Sequence, residues 1–231
     1  MQLRKDQSIL LIAGVLSLAI WLLPLLRPIL LPLQYYNTHV HELAHALATV
    51  LTGGAVEYVS VFANGGGVTL SAGGFGPLIA SAGYVGSAIV GGMLLLGSRD
   101  KRGAQTMLYA AAAFLAFSML FFVRGDFVGV LSGLLWIAGL ALAALKLNED
   151  HVVFVAKFLG VQQCLTSLQS IFILLQLTAM TNEHNDAQLM AQETMIPAIV
   201  WSVLWGLMAI GVIAWGLKVS WGKTAKPRRT T

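Results

Sequence analysis

Five consecutive residues of this chain have the types and the spacing of a metal-dependent hydrolase site. They are His41, Glu42, Leu43, Ala44 and His45, an H-E-x-x-H pattern in a largely apolar sequence. On an α-helix, residues i and i+4 lie one above the other, so both imidazoles can bind one zinc ion while Glu42 reaches a water molecule beside it. The pattern predicts a zinc metallopeptidase with two histidine ligands and Glu42 as the general base.

A structural role is the alternative interpretation of these histidines. Buried imidazoles in membrane proteins often hydrogen-bond a neighbouring helix and bind no metal. Ionisable groups are costly at membrane depth, however, and this chain is only 10% charged. Three such groups within five residues therefore favour the metal site.

The composition predicts an α-helical integral membrane protein. Hydrophobic residues make up 57% of the chain, and the mean hydropathy is +0.78. Apolar runs of the length needed to cross a bilayer occur at about residues 8–26, 77–97, 105–123, 127–147, 152–180 and 194–217. We expect about six transmembrane helices, and a seventh only if the motif segment also crosses.

The segment that carries the motif, residues 36–52, is short and partly polar. It is predicted to form a short helix that is capped at its start by Asn37 or Thr38. Gly53 and Gly54 are expected to end it, because glycine readily adopts the left-handed conformation found after a helix. The motif is thus predicted to lie on a short capped helix.

A β-hairpin is predicted directly after this helix. Residues 56–63 and 68–72 are rich in β-branched and aromatic side chains, and Asn64-Gly65 is a turn signal between them. The hairpin is either a surface element packed on the helix ends or an edge that pairs with an unwound peptide substrate. In both interpretations it lies near the metal.

Catalytic zinc generally has three protein ligands, so one more is needed. Asn185 can cap a short helix over residues 186–194, and Asp186 at its start is the favoured third ligand. His184 and Glu193 remain alternatives. An ordinary solvated loop carboxylate is the other interpretation of Asp186.

The long apolar run 152–180 carries a regular polar pattern. Gln162, Gln169 and Gln176 recur every seven residues, and Thr166 and Ser170 lie close to the same face. Hydrogen bonding between helices is the favoured explanation. The alternative is a polar wall that admits the water that a hydrolase in a membrane needs.

Basic residues cluster in two places, which are expected to be cytoplasmic because positive charge is retained on that side. One is the loop with Arg99, Lys101 and Arg102, and the other is the tail with Lys218, Lys223, Lys226, Arg228 and Arg229. We expect the lipid bilayer, and no nucleic acid, to be the partner of these charges. The protein is predicted to lie in a cell (inner) membrane with a cytoplasmic C-terminus.

The chain resembles the site-2 protease family of intramembrane zinc metallopeptidases, in particular its compact branch without a PDZ domain. The similarity covers about residues 36–217. It is carried by the motif His41 to His45, the Gly53-Gly54 helix end, the glycine-bearing hairpin, Ala82-Gly83-Tyr84-Val85-Gly86, Asn185-Asp186-Ala187, Pro197-Ala198 and the pair Trp201 and Trp205.

The resemblance implies that His41 and His45 bind Zn2+, that Glu42 is the general base, and that a distal aspartate completes the site. Better-known members carry that aspartate in an Asp-Gly motif of a core helix. No Asp-Gly follows the motif at the corresponding place here, so Asp186 is assigned by position and composition. Substrates would be membrane-spanning or membrane-proximal protein segments.

One membrane-embedded metallopeptidase domain is expected over residues 1–231. Residues 1–35 would form an N-terminal helix and linker, residues 36–217 the catalytic core, and residues 218–231 a basic cytoplasmic tail. Two other functions remain open, a non-catalytic zinc-binding membrane scaffold of the same fold and a membrane transporter. A transporter would predict broken helices and internal repeats, and no convincing repeat is found.

Overall fold

The described residues of the chain, 3–181 and 185–222 in a computed structural model, form a helical bundle with one hairpin. A 3₁₀ segment, Pro24–Ile29, links the first two helices. The helices are α1 (Lys5–Leu22), α2 (Leu30–Leu51), α3 (Gly76–Gly97), α4 (Lys101–Phe121), α5 (Phe127–Lys146), α6 (Glu149–Met180), α7 (Asp186–Thr194) and α8 (Ala198–Trp221). The strands are β1 (Ala55–Val61) and β2 (Gly67–Ala72).

Six of the helices in these residues are long and apolar enough to cross a membrane. They are α1, α3, α4, α5, α6 and α8. Helix α3 lies at the centre of the bundle and packs against α2, α6 and α8. The prediction of about six transmembrane helices with a small β-hairpin is confirmed.

The two ends of the described chain meet at one end of the bundle. Gln7 Nε2 donates to the carbonyl of Trp221 at 2.9 Å, and the Arg99 guanidinium donates to the carbonyl of Val219. Lys5 Nζ lies 2.6 Å from Asp150 Oδ1 at the start of α6. Six spans that each cross once would place both ends of the described chain on one side, in agreement with this arrangement.

Helix α2 differs from its prediction at its start. It begins at Leu30, so Asn37 and Thr38 lie in its interior, and the predicted short helix capped by either residue is wrong. Pro32 lies in the first turn, where a helix needs no backbone donor, and therefore does not delay the helix. The predicted division at residue 36 falls inside α2. The end of α2 agrees with the prediction. The helix ends at Leu51, and Gly53 shortly after it has the left-handed φ of +84° that glycine readily adopts.

Helices α1, α4, α6 and α8 also differ from their predicted runs by up to about four residues at an end, whereas α7 agrees with its prediction. Helix α6 begins at Glu149, because Asn148 caps it by accepting from the backbone N–H of His151. The last span runs from Ala198 to Trp221 rather than over residues 194–217. Asn185 caps α7 by accepting from the backbone N–H groups of Ala187 and Gln188, both at 3.0 Å.

The hairpin is antiparallel and leaves one strand edge free. Its register runs from Ala55 opposite Ala72 to Val61 opposite Gly67. The outer edge of β1 is bonded to the turn between α4 and α5, because Val59 exchanges backbone hydrogen bonds of 2.9 Å with residues 122 and 124. Within the described ranges, no strand pairs with the outer edge of β2.

Candidate metal centre

Three side chains from two distant parts of the chain converge beside α3. His41 and His45 project from successive turns of α2, and Asp186 is the first residue of α7. The two Nε2 atoms are 2.9 Å apart. Asp186 Oδ2 lies 3.7 Å from His41 Nε2 and 3.5 Å from His45 Nε2. The structure thus brings the favoured third residue to both imidazoles.

These three groups fit a catalytic zinc ion. Tetrahedral zinc with bonds of about 2.0 to 2.1 Å holds its donor atoms about 3.3 Å apart. The observed separations of 2.9, 3.5 and 3.7 Å lie on both sides of that value. Two imidazoles and one carboxylate also leave the fourth position open, as catalytic zinc sites require.

A backbone carbonyl orients the second imidazole. His45 Nδ1 lies 2.6 Å from the carbonyl oxygen of Ile79 in α3. A proton on Nδ1 is donated to this carbonyl, which leaves the lone pair of Nε2 for a metal ion. Metal-binding histidines commonly have such an outer hydrogen bond, because it fixes the tautomer and the ring orientation.

The electrostatics of the site favour an ionised Asp186. Burial raises the pKa of its carboxyl group, but the imidazoles of His45 and His41 outweigh burial and hold this pKa well below its usual range. The carboxyl group is therefore available as an anionic ligand at neutral pH.

Helix α3 can approach the imidazoles only because residue 83 is glycine. A Cβ atom at Gly83 would overlap Nε2 of both His41 and His45. In the sequence, Gly83 is only part of the family resemblance, and no role is predicted for it. Its signal is the small-residue stripe Gly83, Ser87 and Gly91, which is typical of closely packed membrane helices.

Aromatic residues support the first imidazole. The ring of Tyr84 contacts His41 edge to face, with centroids 4.6 Å apart, and stacks on Trp205 at 5.3 Å. Trp205 is fixed in turn by a hydrogen bond of 3.0 Å from its Nε1 to Ser81 Oγ. This stack limits the rotation of His41.

Glu42 is held by the hairpin. Its side chain is buried, and Thr69 Oγ1 lies 2.8 Å from its Oε2. A Cβ atom at Gly67 would come within 2.8 Å of the other carboxylate oxygen. Thr38 Oγ1 also donates to the carbonyl of Gly65 at 2.7 Å, which ties the hairpin turn to α2. The hairpin therefore packs on the motif helix and contacts the predicted base.

A cavity of about 680 Å³ contains this cluster. Its walls include the free edge of β2, with residues 68–71, and the polar face of α6, with Thr166, Gln169 and Ser170. Gln162 lies elsewhere and accepts a hydrogen bond from Trp21 Nε1 at 3.2 Å. Gln162 thus forms a hydrogen bond between helices, whereas Thr166, Gln169 and Ser170 line the cavity.

The two alternatives to Asp186 as the third ligand are Glu193 and His184, and neither is found beside the two imidazoles in the described part of the chain. Glu193 is exposed, and its carboxylate lies against the Cα of Gly76 at the start of α3. A helix N-terminus attracts negative charge, so this position favours a carboxylate without any metal ion. His184 lies outside the described residues. In the ranges 3–181 and 185–222, His41, His45 and Asp186 form the one group of ligand-type side chains close enough to share a metal ion.

Comparison with known proteins identifies the family of this chain. A family model described as Peptidase M50B-like matches residues 11–216, which include both histidines, Glu42 and Asp186. No curated protein and no solved structure matches the chain significantly. Since the family match extends over most of the sequence and agrees with the resemblance to site-2 proteases, the chain belongs to the Peptidase M50B-like family.

Proposed function

We propose that this protein is an intramembrane zinc metallopeptidase that hydrolyses peptide bonds in membrane-spanning or membrane-proximal segments of other proteins. The observation that carries the proposal is the convergence of His41, His45 and Asp186, with all three pairs of donor atoms within 3.7 Å. The same cavity contains Glu42. The Peptidase M50B-like family and six candidate membrane spans support both the chemistry and its location.

His41, His45 and Asp186 would hold the zinc ion. When bound, zinc supplies Lewis acidity, which polarises a peptide carbonyl and makes water a better nucleophile at neutral pH. Glu42 does not act as a ligand in this proposal. Its neighbour Thr69 engages one carboxylate oxygen, and Glu42 lines the cavity.

Glu42 would move the proton that the reaction requires. Its carboxylate accepts a proton from water as the water oxygen bonds to the scissile carbonyl carbon. The same proton then passes to the amide nitrogen as the carbon–nitrogen bond breaks. One water molecule is consumed, and a carboxylate and an amine are formed.

The substrate would bind as an extended strand along β2. The edge of β2 lines the cavity beside the metal centre, and its backbone groups face no other strand within the described residues. An added strand gains main-chain hydrogen bonds at such an edge. A transmembrane helix hides its carbonyls, so the target segment must unwind locally before it is cleaved.

The protein would lie in a cell (inner) membrane, with the basic ends of the chain in the cytoplasm. Arg99 and Lys5 lie at the end of the bundle where residues 7 and 221 meet. Such a grouping supports the cytoplasmic placement, because positively charged segments are retained on that side. The partners in this proposal are a membrane protein substrate and the lipid bilayer.

The proposal is tested with purified protein in detergent. We expect about one zinc ion per chain and cleavage of a model single-span substrate. Glu42→Gln should keep the zinc and the fold but abolish cleavage, because an amide can neither accept nor return the proton. Zinc binding without any cleavage by the wild type would instead identify a non-catalytic scaffold, and cleavage by Glu42→Gln at the wild-type rate would exclude the proposed role of Glu42.

A further inference from the structure

A buried pair of amide side chains lies next to the metal centre. Gln163 Nε2 of α6 donates to Asn37 Oδ1 of α2 at 2.9 Å. Asn37 is 4% exposed and Gln163 is 2% exposed. Asn37 also lines the cavity that contains His41 and Glu42.

The position of Asn37 relates it to the metal centre. It precedes His41 by four residues on α2, so the two side chains share one helix face. Helical side chains tilt toward the N-terminus, and the His41 imidazole therefore leans toward the turn that carries Asn37.

The carboxamide of Asn37 has two N–H groups that its hydrogen bond with Gln163 does not use. Its oxygen is engaged by Gln163, and its nitrogen carries two N–H groups. Among the described residues, no hydrogen bond is formed by Asn37 Nδ2, and the Asn37 side chain lines the cavity. With its oxygen directed at α6, the amide nitrogen is free to donate into the cavity.

An extended peptide in this cavity needs such a donor. Backbone carbonyls of a strand point alternately to its two edges, so β2 can pair with only one edge. The carbonyls on the other edge face away from β2. A carbonyl that loses water without gaining a hydrogen bond weakens binding.

We propose that Asn37 is a substrate-binding residue that donates a hydrogen bond to a backbone carbonyl of the bound peptide segment, and that Gln163 positions it. The inference rests on the proposed peptidase function. Asn37 touches the substrate, whereas Gln163 acts only through Asn37 by holding its oxygen.

The adjacent residue Gln162 provides a matched control. It is 1% exposed on the same helix and also forms one hydrogen bond to another helix, with Trp21. Gln162 and Gln163 each have one buried amide atom without a partner in the described part of the chain. Substitution by leucine should therefore cost similar stability at both positions, but only Gln163 is linked to the cavity.

The experiment measures zinc content, kcat and KM for the full chain in detergent. The probes are fluorescein-labelled casein and a synthetic single-span peptide. We expect Asn37→Leu to raise KM about tenfold or more, Gln163→Leu to raise it about three- to tenfold, and Gln162→Leu to change it less than about twofold. Asn37→Ser, which keeps a donor, should lie between Asn37→Leu and the wild type, and zinc content should be unchanged in all four.

Several outcomes would overturn the inference. An unchanged KM in Asn37→Leu would exclude substrate binding by Asn37. Equal effects of Gln163→Leu and Gln162→Leu on KM would show that the pair of Asn37 and Gln163 contributes only to packing. If Asn37→Leu does not fold, the two glutamine variants decide the question, because both keep Asn37. A wild type that binds zinc and cleaves neither probe would overturn the proposed function itself, and the inference with it.

Discussion

Thr69 Oγ1 on β2 lies 2.8 Å from Glu42 Oε2 and 2.9 Å from the backbone oxygen of the same residue. One hydroxyl of the hairpin thus contacts both the side chain and the backbone of the proposed general base. The same strand presents its free edge to the cavity. Peptide binding at β2 and orientation of Glu42 are therefore linked through a single residue.

The first prediction tests this link. Thr69→Val keeps the shape of the side chain but removes the donor, so Glu42 should lose its fixed orientation. We expect kcat to fall about three- to thirtyfold with unchanged zinc content.

Thr69→Ser should retain most of the activity, because it keeps the hydroxyl. Thr106→Val is the control far from the site, since Thr106 is exposed and, in the described part of the chain, its hydroxyl bonds only to the carbonyl of Arg102 in its own helix. A wild-type kcat in Thr69→Val would show that the hairpin does not orient the base.

The second prediction concerns the close approach of α3 to the metal centre. Gly83→Ala adds one methyl group that would overlap both imidazole Nε2 atoms, so we expect loss of most of the zinc and of the activity. Gly139→Ala in α5 is the matched control, because among the described residues nothing beyond the neighbouring turns of its own helix lies within 4 Å of the added methyl group.

Alanine is also the better helix former, so Gly139→Ala should be neutral or slightly stabilising. Zinc content measured by atomic absorption beside the melting temperature separates a local from a global effect. Full zinc occupancy in Gly83→Ala would contradict the geometry of the site.

The parts of the site that the sequence predicts are those encoded by local periodicity. His41, Glu42 and His45 are recognisable because one helix turn brings them together, and Asn64-Gly65 marks the hairpin. Helix α7 and its cap are also local, which is why Asp186 is placed at a helix start from the sequence alone. Its proximity to the histidines, by contrast, depends on how α7 packs beside α3.

Other features could not be predicted because they depend on packing between distant segments. Gly83 acts through the absence of a side chain, which no chemical motif records. Asn37 resembles a helix cap in the sequence, but Pro32 allows α2 to start earlier, and Asn37 instead meets Gln163 of α6. Which edge of the hairpin is free also depends on distant packing. Val59 bonds the outer edge of β1 to the turn after α4, so within the described residues the outer edge of β2 is the one without a partner strand.

The third prediction tests the orientation in the membrane. Lys101 and Arg124 are both exposed and lie at opposite ends of α4. In intact cells, a cysteine at position 101 should resist a membrane-impermeant thiol reagent, and one at position 124 should react. Ser98 is unsuitable for this test, because it is fully buried and would be protected on either side.

The native Cys164 is buried and should contribute little background, and Cys164→Ser removes it. Permeabilised cells provide the control, since both positions should then be labelled. Labelling at position 101 but not at position 124 in intact cells would reverse the proposed orientation.

The last prediction concerns the third ligand. Asp186→Ala removes one of three protein donors, so we expect zinc affinity to fall at least about tenfold, and activity to fall with it. Glu193→Ala is the matched control on the same helix, because that carboxylate lies against Gly76 rather than at the metal centre.

Removal of an exposed side chain usually changes stability by no more than about 0.5 kcal/mol, so Glu193→Ala should keep both zinc and activity. Metal stoichiometry after dialysis against a weak chelator distinguishes the two variants. Full zinc in Asp186→Ala together with depletion in Glu193→Ala would move the ligand to Glu193. Full zinc in both variants would exclude both carboxylates as the third ligand. His184 would then be the remaining candidate, and His184→Ala should lose zinc.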